Sequence, residues 1–122
     1  MRSILGISAY YHDSAAALLR DGATVAAAQQ ERFSRVKNDE RFPAEAVAFC
    51  LRQGGIAAKD LDAVVFYDKP VAKFARMLET YLTVAPAGLR TFLDVLPSWL
   101  GGKLDLRAAI REAMPGLPDG AA

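Results

Sequence analysis

The chain has 122 residues, of which 52% are hydrophobic and 24% charged, and its net charge is +1. That length holds one domain at most, and the apolar share is too high for a disordered chain. The near-neutral charge excludes a global field drawing the protein to nucleic acid or to a membrane surface, and one cysteine with one histidine exclude a disulfide framework and an ordinary His/Cys zinc site.

Ser3 to Ser8 reads as a buried strand that begins almost at the first residue. The apolar run there is too short for a signal peptide or a bilayer span, so a cytoplasmic protein is expected. Ser14 to Arg20 reads as a second, alanine-rich strand. Asp21-Gly22 is a strong hairpin signal, and Ala23 to Gln29 makes the third strand. A charged stretch of both signs follows from Gln30 to Phe42. Pro43 opens a helix, at a place where a missing N–H does no harm, and Gly54-Gly55 ends it. Leu61 to Tyr67 is a fourth strand, stopped by Asp68-Lys69-Pro70. After Pro70 the period changes. Val71, Phe74, Leu78 and Tyr81 mark one helix face. Leu89, Phe92, Leu93 and Leu96 mark a second helix, between Pro86 and Pro97. Leu104 to Met114 is a third helix. Residues 115–122 lack periodicity and are expected to be loose, which leaves 1–114 as the folded portion. The order β-β-β-α-β then helices is the opening of an α/β domain, with the fourth strand parallel to the first.

Two segments hold the candidate chemistry. In Tyr10-Tyr11-His12-Asp13-Ser14, the turn between strands one and two, a histidine titrates near neutrality and can act as a general base. On an extended chain Asp13 and His12 point to opposite faces, so spacing implies no direct dyad. The bland alternative is a solvated turn. In the charged stretch, Arg32, Arg35, Lys37 and Arg41 suit a phosphate or carboxylate. The bland alternative there is a surface loop whose cations pair with Glu31, Asp39 and Glu40. Cys50, on the apolar face of the Pro43 helix, reads as an inert core thiol. The aromatic positions from Phe66 to Trp99 read as core or interface.

The segments "ILGISAYYHDSAAALLRDG", "VAAAQQERFSRVKNDERFP" and "AVVFYDKPVAKFARMLETYL" strongly resemble the N-terminus of the O-carbamoyltransferases, from about residue 2 to about residue 112. That family includes the nodulation-factor and antibiotic carbamoyltransferases. The resemblance implies the N-terminal portion of a longer enzyme, opening an actin-like ATPase (ribonuclease H-like) domain. It implies transfer of a carbamoyl group from carbamoyl phosphate, by way of a carbamoyl-adenylate made with ATP, to a hydroxyl of a small molecule or saccharide. An iron-type metal assists in that family, and its histidine ligands fall beyond residue 122, so no metal ligand is expected in this chain. The adenylate-forming part is expected to be missing too, and with it most activity. His12 then matches the base for the acceptor hydroxyl and Lys37 a cation offsetting negative charge. Asp13, Ser14, Arg32 and Arg35 match binding positions. Gln30 stands where the family commonly has Glu, and Asn38 where it commonly has His. Two other readings are a non-catalytic nucleotide-loop module that binds a partner chain and a small-molecule kinase of the same superfold.

Overall fold

A computed structural model describes residues 1–121, with Gly102 and Lys103 described by backbone alone. Strands β1 (Ser3–Ser8), β2 (Ala15–Arg20) and β3 (Ala23–Gln29) lie where the apolar runs predict them, β2 starting one residue later. Asp21 and Gly22 both have positive φ, 50° and 85°, as a two-residue hairpin turn requires. The Asp21 carboxylate accepts a hydrogen bond from the Arg2 amide at 2.7 Å, which ties this turn to the start of the chain. The charged stretch contains one helical turn that its pattern does not reveal, α1 (Glu31–Ser34), ended by Arg35 in the left-handed region. Helix α2 (Ala44–Gly54) has Pro43 at its cap, one place before the first helical position. Gly55 ends it with φ 63°, its amide bonded to the Arg52 carbonyl. Strand β4 is Ala63–Phe66, the centre of the predicted run.

The sheet order is β3-β2-β1-β4, with β1 antiparallel to β2 and parallel to β4, as the sequence implies. This is an α/β architecture with a mixed four-stranded sheet. Register follows from strand alternation: Leu5 faces Leu18, and Gly6 lies between Ala17 and Val65. On one sheet face Leu5, Ile7, Ala16 and Leu18 are buried, and α2 seals them with Ala46, Val47 and Cys50. Burying a leucine such as Leu5 or Leu18 contributes about 1.5–3 kcal/mol. The other face carries Gly6, Ser8, Ala15, Ala17, Val65 and Tyr67 and is open, with Val65 52% and Tyr67 55% exposed.

The chain divides into two compact units: Met1–Tyr67 with the segment from Ile110 onward, and Asp68–Ala109. The second unit holds α3 (Pro70–Val84), which begins on its proline, and α4 (Leu89–Ser98). Inside it Tyr81 stacks on Phe92 at 4.3 Å, and Phe74 meets Trp99 at 5.9 Å. Helix α4 runs through Pro97 rather than stopping before it. A proline in the last turn keeps a helical φ and forfeits one hydrogen bond. A π turn follows at Trp99–Lys103.

Helix α5 (Leu106–Ala113) is shorter than the predicted 104–114. Ile110 and Met114 are buried. Residues 115–121 contain no helix or strand. Their backbone bonds run from Leu117 to Met114 and from Ala121 to Pro118, and the Ala121 carbonyl accepts from the Val64 amide on the outer edge of β4. No helix among the described residues is long and apolar enough to cross a membrane.

Candidate functional site

The turn between β1 and β2 is built on strained backbone. Tyr10 has φ 69° and Asp13 φ 52°. Arg35 and Asn38, in the charged stretch, have φ 59° and 55°. Non-glycine residues occupy this region at a cost, and such strain gathers where function fixes a conformation. Here the two strained segments are bound to each other. The Tyr10 amide donates to the Glu40 carbonyl at 2.7 Å and the Ser14 amide to the Asp39 carbonyl at 2.9 Å. The Gln30 amide donates to the Ser14 carbonyl at 2.8 Å. The two candidate segments of the sequence are therefore one loop cluster, at the end of the sheet where β1 leaves its carboxyl terminus. Ligands in open α/β sheets bind at that end.

His12 and Asp13 form a direct pair, which the extended-chain reading does not allow. His12 Nδ1 lies 2.8 Å from Asp13 Oδ2. The left-handed φ of Asp13 turns its side chain back onto its neighbour. An ionised carboxylate only accepts, so Nδ1 carries the hydrogen in this bond, and in the neutral ring the lone pair is on Nε2. The His12 side chain is 59% exposed, and the Tyr11 ring lies against it with centroids 4.5 Å apart. Chemically this is an exposed imidazole, oriented by a carboxylate, with its basic nitrogen available.

Asp39 anchors the second segment. Its side chain is only 2% exposed, and the Arg41 guanidinium grips both carboxylate oxygens, Nε at 2.9 Å and Nη2 at 2.7 Å. That hydrogen bonding, with help from Ser34, holds the Asp39 carboxyl far below the ordinary carboxylate range. Arg41 is thus spent on structure. Arg32, Arg35 and Lys37 are exposed and make no ion pair among the described residues, so the reading of a self-neutralised surface loop holds for Arg41 with Asp39 and not for these three. Glu31 instead accepts a hydrogen bond from the Asn38 amide, at 3.1 Å. Burial, and then the Glu112 carboxylate, push the Tyr10 phenol up, so it stays protonated at neutral pH.

Ser14 is fully buried, and its Oγ has no hydrogen-bond partner among the described residues. Arg32 stands at the rim of an open groove of about 820 Å³ on the uncovered sheet face. His12, Asp13, Ser14, Arg35 and Lys37 do not line that groove.

Sequence reasoning missed Gln30 as a working residue. It is 5% exposed, and its side-chain Oε1 accepts from the Glu45 and Ala46 amides at 3.2 Å each. Pro43 offers α2 no side-chain cap, so a residue of another segment caps the helix instead. No local signal marks such a cap, because Gln30 and the Glu45 amide it caps lie 15 residues apart. Cys50 is buried as expected, with its Sγ directed at the Ala16 carbonyl and its thiol pushed up by burial.

The fold is α/β, and its loop cluster joins an imidazole oriented by a carboxylate to a segment whose Arg32, Arg35 and Lys37 make no ion pair among the described residues. The chain belongs to the carbamoyltransferase N-terminus family, whose model matches residues 3–115. It is 52% identical to the uncharacterized protein sll1178 of Synechocystis over 98% of this chain and 19% of that one. It is 36% identical to the nodulation protein NolNO of Sinorhizobium fredii over 48% of this chain and 8% of that protein. An uncharacterized 19.2 kDa protein encoded in the syrM 5′ region of Rhizobium etli is 32% identical over 49% of this chain and 35% of its own length. The chain thus spans about a fifth of the Synechocystis relative.

Proposed function

We propose that this chain is the N-terminal part of an O-carbamoyltransferase, with His12 as the base that takes the proton from the acceptor hydroxyl. The observation that carries this reading is the pair of backbone hydrogen bonds joining the His12 loop to the Arg35–Arg41 segment. Those bonds put the oriented imidazole and the unpaired cations on one loop cluster. Nε2 of His12 would accept the hydroxyl proton. Asp13, through Nδ1, would hold the ring and stabilise the charge that the proton brings. Lys37 would offset negative charge developing on the carbamoyl oxygen or its leaving group, a role suited to a fixed cation.

Arg32 and Arg35 would contribute to holding the anionic donor. Their lack of carboxylate partners among the described residues supports that assignment. The donor would be a carbamoyl-adenylate made from carbamoyl phosphate and ATP, and the acceptor a hydroxyl of a small molecule or saccharide. Nothing in the loop cluster selects between the two. Ser14, assigned to the adenylate, has a buried and unpartnered hydroxyl, which would reach a ligand only on a rearrangement of the loop. The metal of the family does not fit this chain by itself: among the described residues no three His, Cys, Asp or Glu side chains come together to hold one. No step is routed through it. The strand order with β4 parallel to β1 supports an actin-like domain opening. A cytoplasmic location belongs to the same reading, supported by the single, buried thiol. The chain alone should not transfer a carbamoyl group, for want of the adenylate-forming part.

The test joins this segment to the remainder of a family-length carbamoyltransferase. His12→Asn should lower carbamoyl transfer by about 10²–10⁴-fold, the usual loss on removing a general base. Transfer at the parental rate would refute the assignment.

A further inference from the structure

We propose that Asp39, clamped by Arg41, is a positioning residue for His12: the turn it fixes holds both ends of the His12 loop and so decides which ring nitrogen carries the hydrogen. The proposal deepens the reading of His12 as a base and rests on that reading for its effect on transfer.

The loop has two anchors, and they are neighbours in the chain. The Tyr10 amide donates to the Glu40 carbonyl and the Ser14 amide to the Asp39 carbonyl, so two consecutive carbonyls hold the residues on either side of Tyr11-His12-Asp13. The backbone between those anchors is strained, with positive φ at Tyr10 and at Asp13. Such conformations persist only where their surroundings over-determine them. The conformation of Asp13 is the one that brings its carboxylate onto His12 Nδ1. With an anchor released, the strained residues relax and the pair parts. The Gln30 amide also holds the Ser14 carbonyl, but that bond does not reach the Tyr10 end.

The two carbonyls need a fixed direction, and they lie in a turn that is itself strained, with φ 55° at Asn38. The Asp39 carboxylate fixes it. Its Oδ1 accepts from the Arg41 amide at 3.1 Å, which closes the turn on itself. Arg41 Nε and Nη2 then engage Oδ1 and Oδ2 at 2.9 and 2.7 Å, a two-pronged grip that sets the plane of the carboxylate. Ser34, at the end of α1, is bonded to the same carboxyl and ties the turn to that helix. Asp39 is thus buried and held from two elements, while Arg41, 67% exposed, closes the turn from the solvent side.

His12 is the only histidine, so its ring nitrogens report the loop directly. Asp39→Ala removes the carboxylate and keeps the carbonyl that Ser14 uses. In long-range ¹H–¹⁵N spectra of the chain, the share of hydrogen on Nδ1 should fall at least about twofold in Asp39→Ala, because the bond made by a ring nitrogen sets the tautomer. Asp39→Asn should lie between that variant and the parent, since its side-chain oxygen can still accept from the Arg41 amide. Gly54→Ala, which crowds Leu18 at the far end of α2, should leave the ring signal as in the parent. A parental signal in folded Asp39→Ala would overturn the proposal, and so would an equal shift in Gly54→Ala, which would trace the change to lost stability. If Asp39→Ala does not fold, Arg41→Ala makes the same comparison at an exposed site. In the chain joined to the remainder of a family-length carbamoyltransferase, Asp39→Ala should lower kcat by about 10²-fold with KM little changed, the usual cost of a misplaced reacting group. A shifted ring signal with parental turnover would support the positioning and sink the base assignment instead.

Discussion

Asp39 shows how a single residue can join stability to a site. Its carbonyl pins Ser14, and its carboxylate is gripped by Arg41. A carboxyl depressed on folding contributes stability that is present above the unfolded value, about pH 4, and lost as pH falls toward the folded value. Asp39→Asn should therefore be less stable than the parent above about pH 4, with the difference narrowing in more acid solution. Urea titrations at several pH values measure it; a constant difference would assign the effect to packing alone. His12 is the only histidine, so its ring can be followed without assignment. Long-range ¹H–¹⁵N spectra should find the hydrogen on Nδ1 in the parent, bonded to Asp13, and should show it shift toward Nε2 in Asp13→Ala.

At the scale of the element, α2 depends on two residues outside its own cap. Gln30 caps its first turn from the end of β3. Gln30→Leu should cost about 1–3 kcal/mol, since two amides lose a buried acceptor. Gln30→Glu should keep the cap and gain from the helix dipole. Thermal unfolding of the two variants separates them. At the other end, Gly54 lies so close to the buried Leu18 side chain that an added Cβ would overlap it, and its carbonyl accepts from Arg20 at 2.7 Å. Gly54→Ala should destabilise by about 1–3 kcal/mol, the usual cost of overpacking.

Across the whole molecule the two units differ in kind. The first has a buried core on one sheet face, whereas neither α3 nor α4 contains a buried residue. Leu82, Leu93 and Leu100 are each more than half exposed, as expected of helices that lack part of their surroundings. Hydrogen exchange should be slowest in β1 and β2 and much faster throughout α3 and α4. Equal protection across both units would contradict that division. A dye that fluoresces on apolar surfaces should bind the chain.

The residue pattern alone specifies the strands, the hairpin, the helix after Pro43 and the family. Those features are local: alternation, an Asp-Gly turn and a run of characteristic residues all act over a few positions. It also marked both segments of the candidate site. Folding in three dimensions brings them together, because the bonds from Tyr10 to Glu40 and from Ser14 to Asp39 span 25 residues or more. It likewise decided the His12–Asp13 pair, which depends on a left-handed backbone at Asp13 that extended spacing does not anticipate. The fate of each cation was tertiary as well. Composition offers Arg41, Arg32, Arg35 and Lys37 as equals, and among the described residues it is Arg41 that the buried Asp39 carboxylate engages.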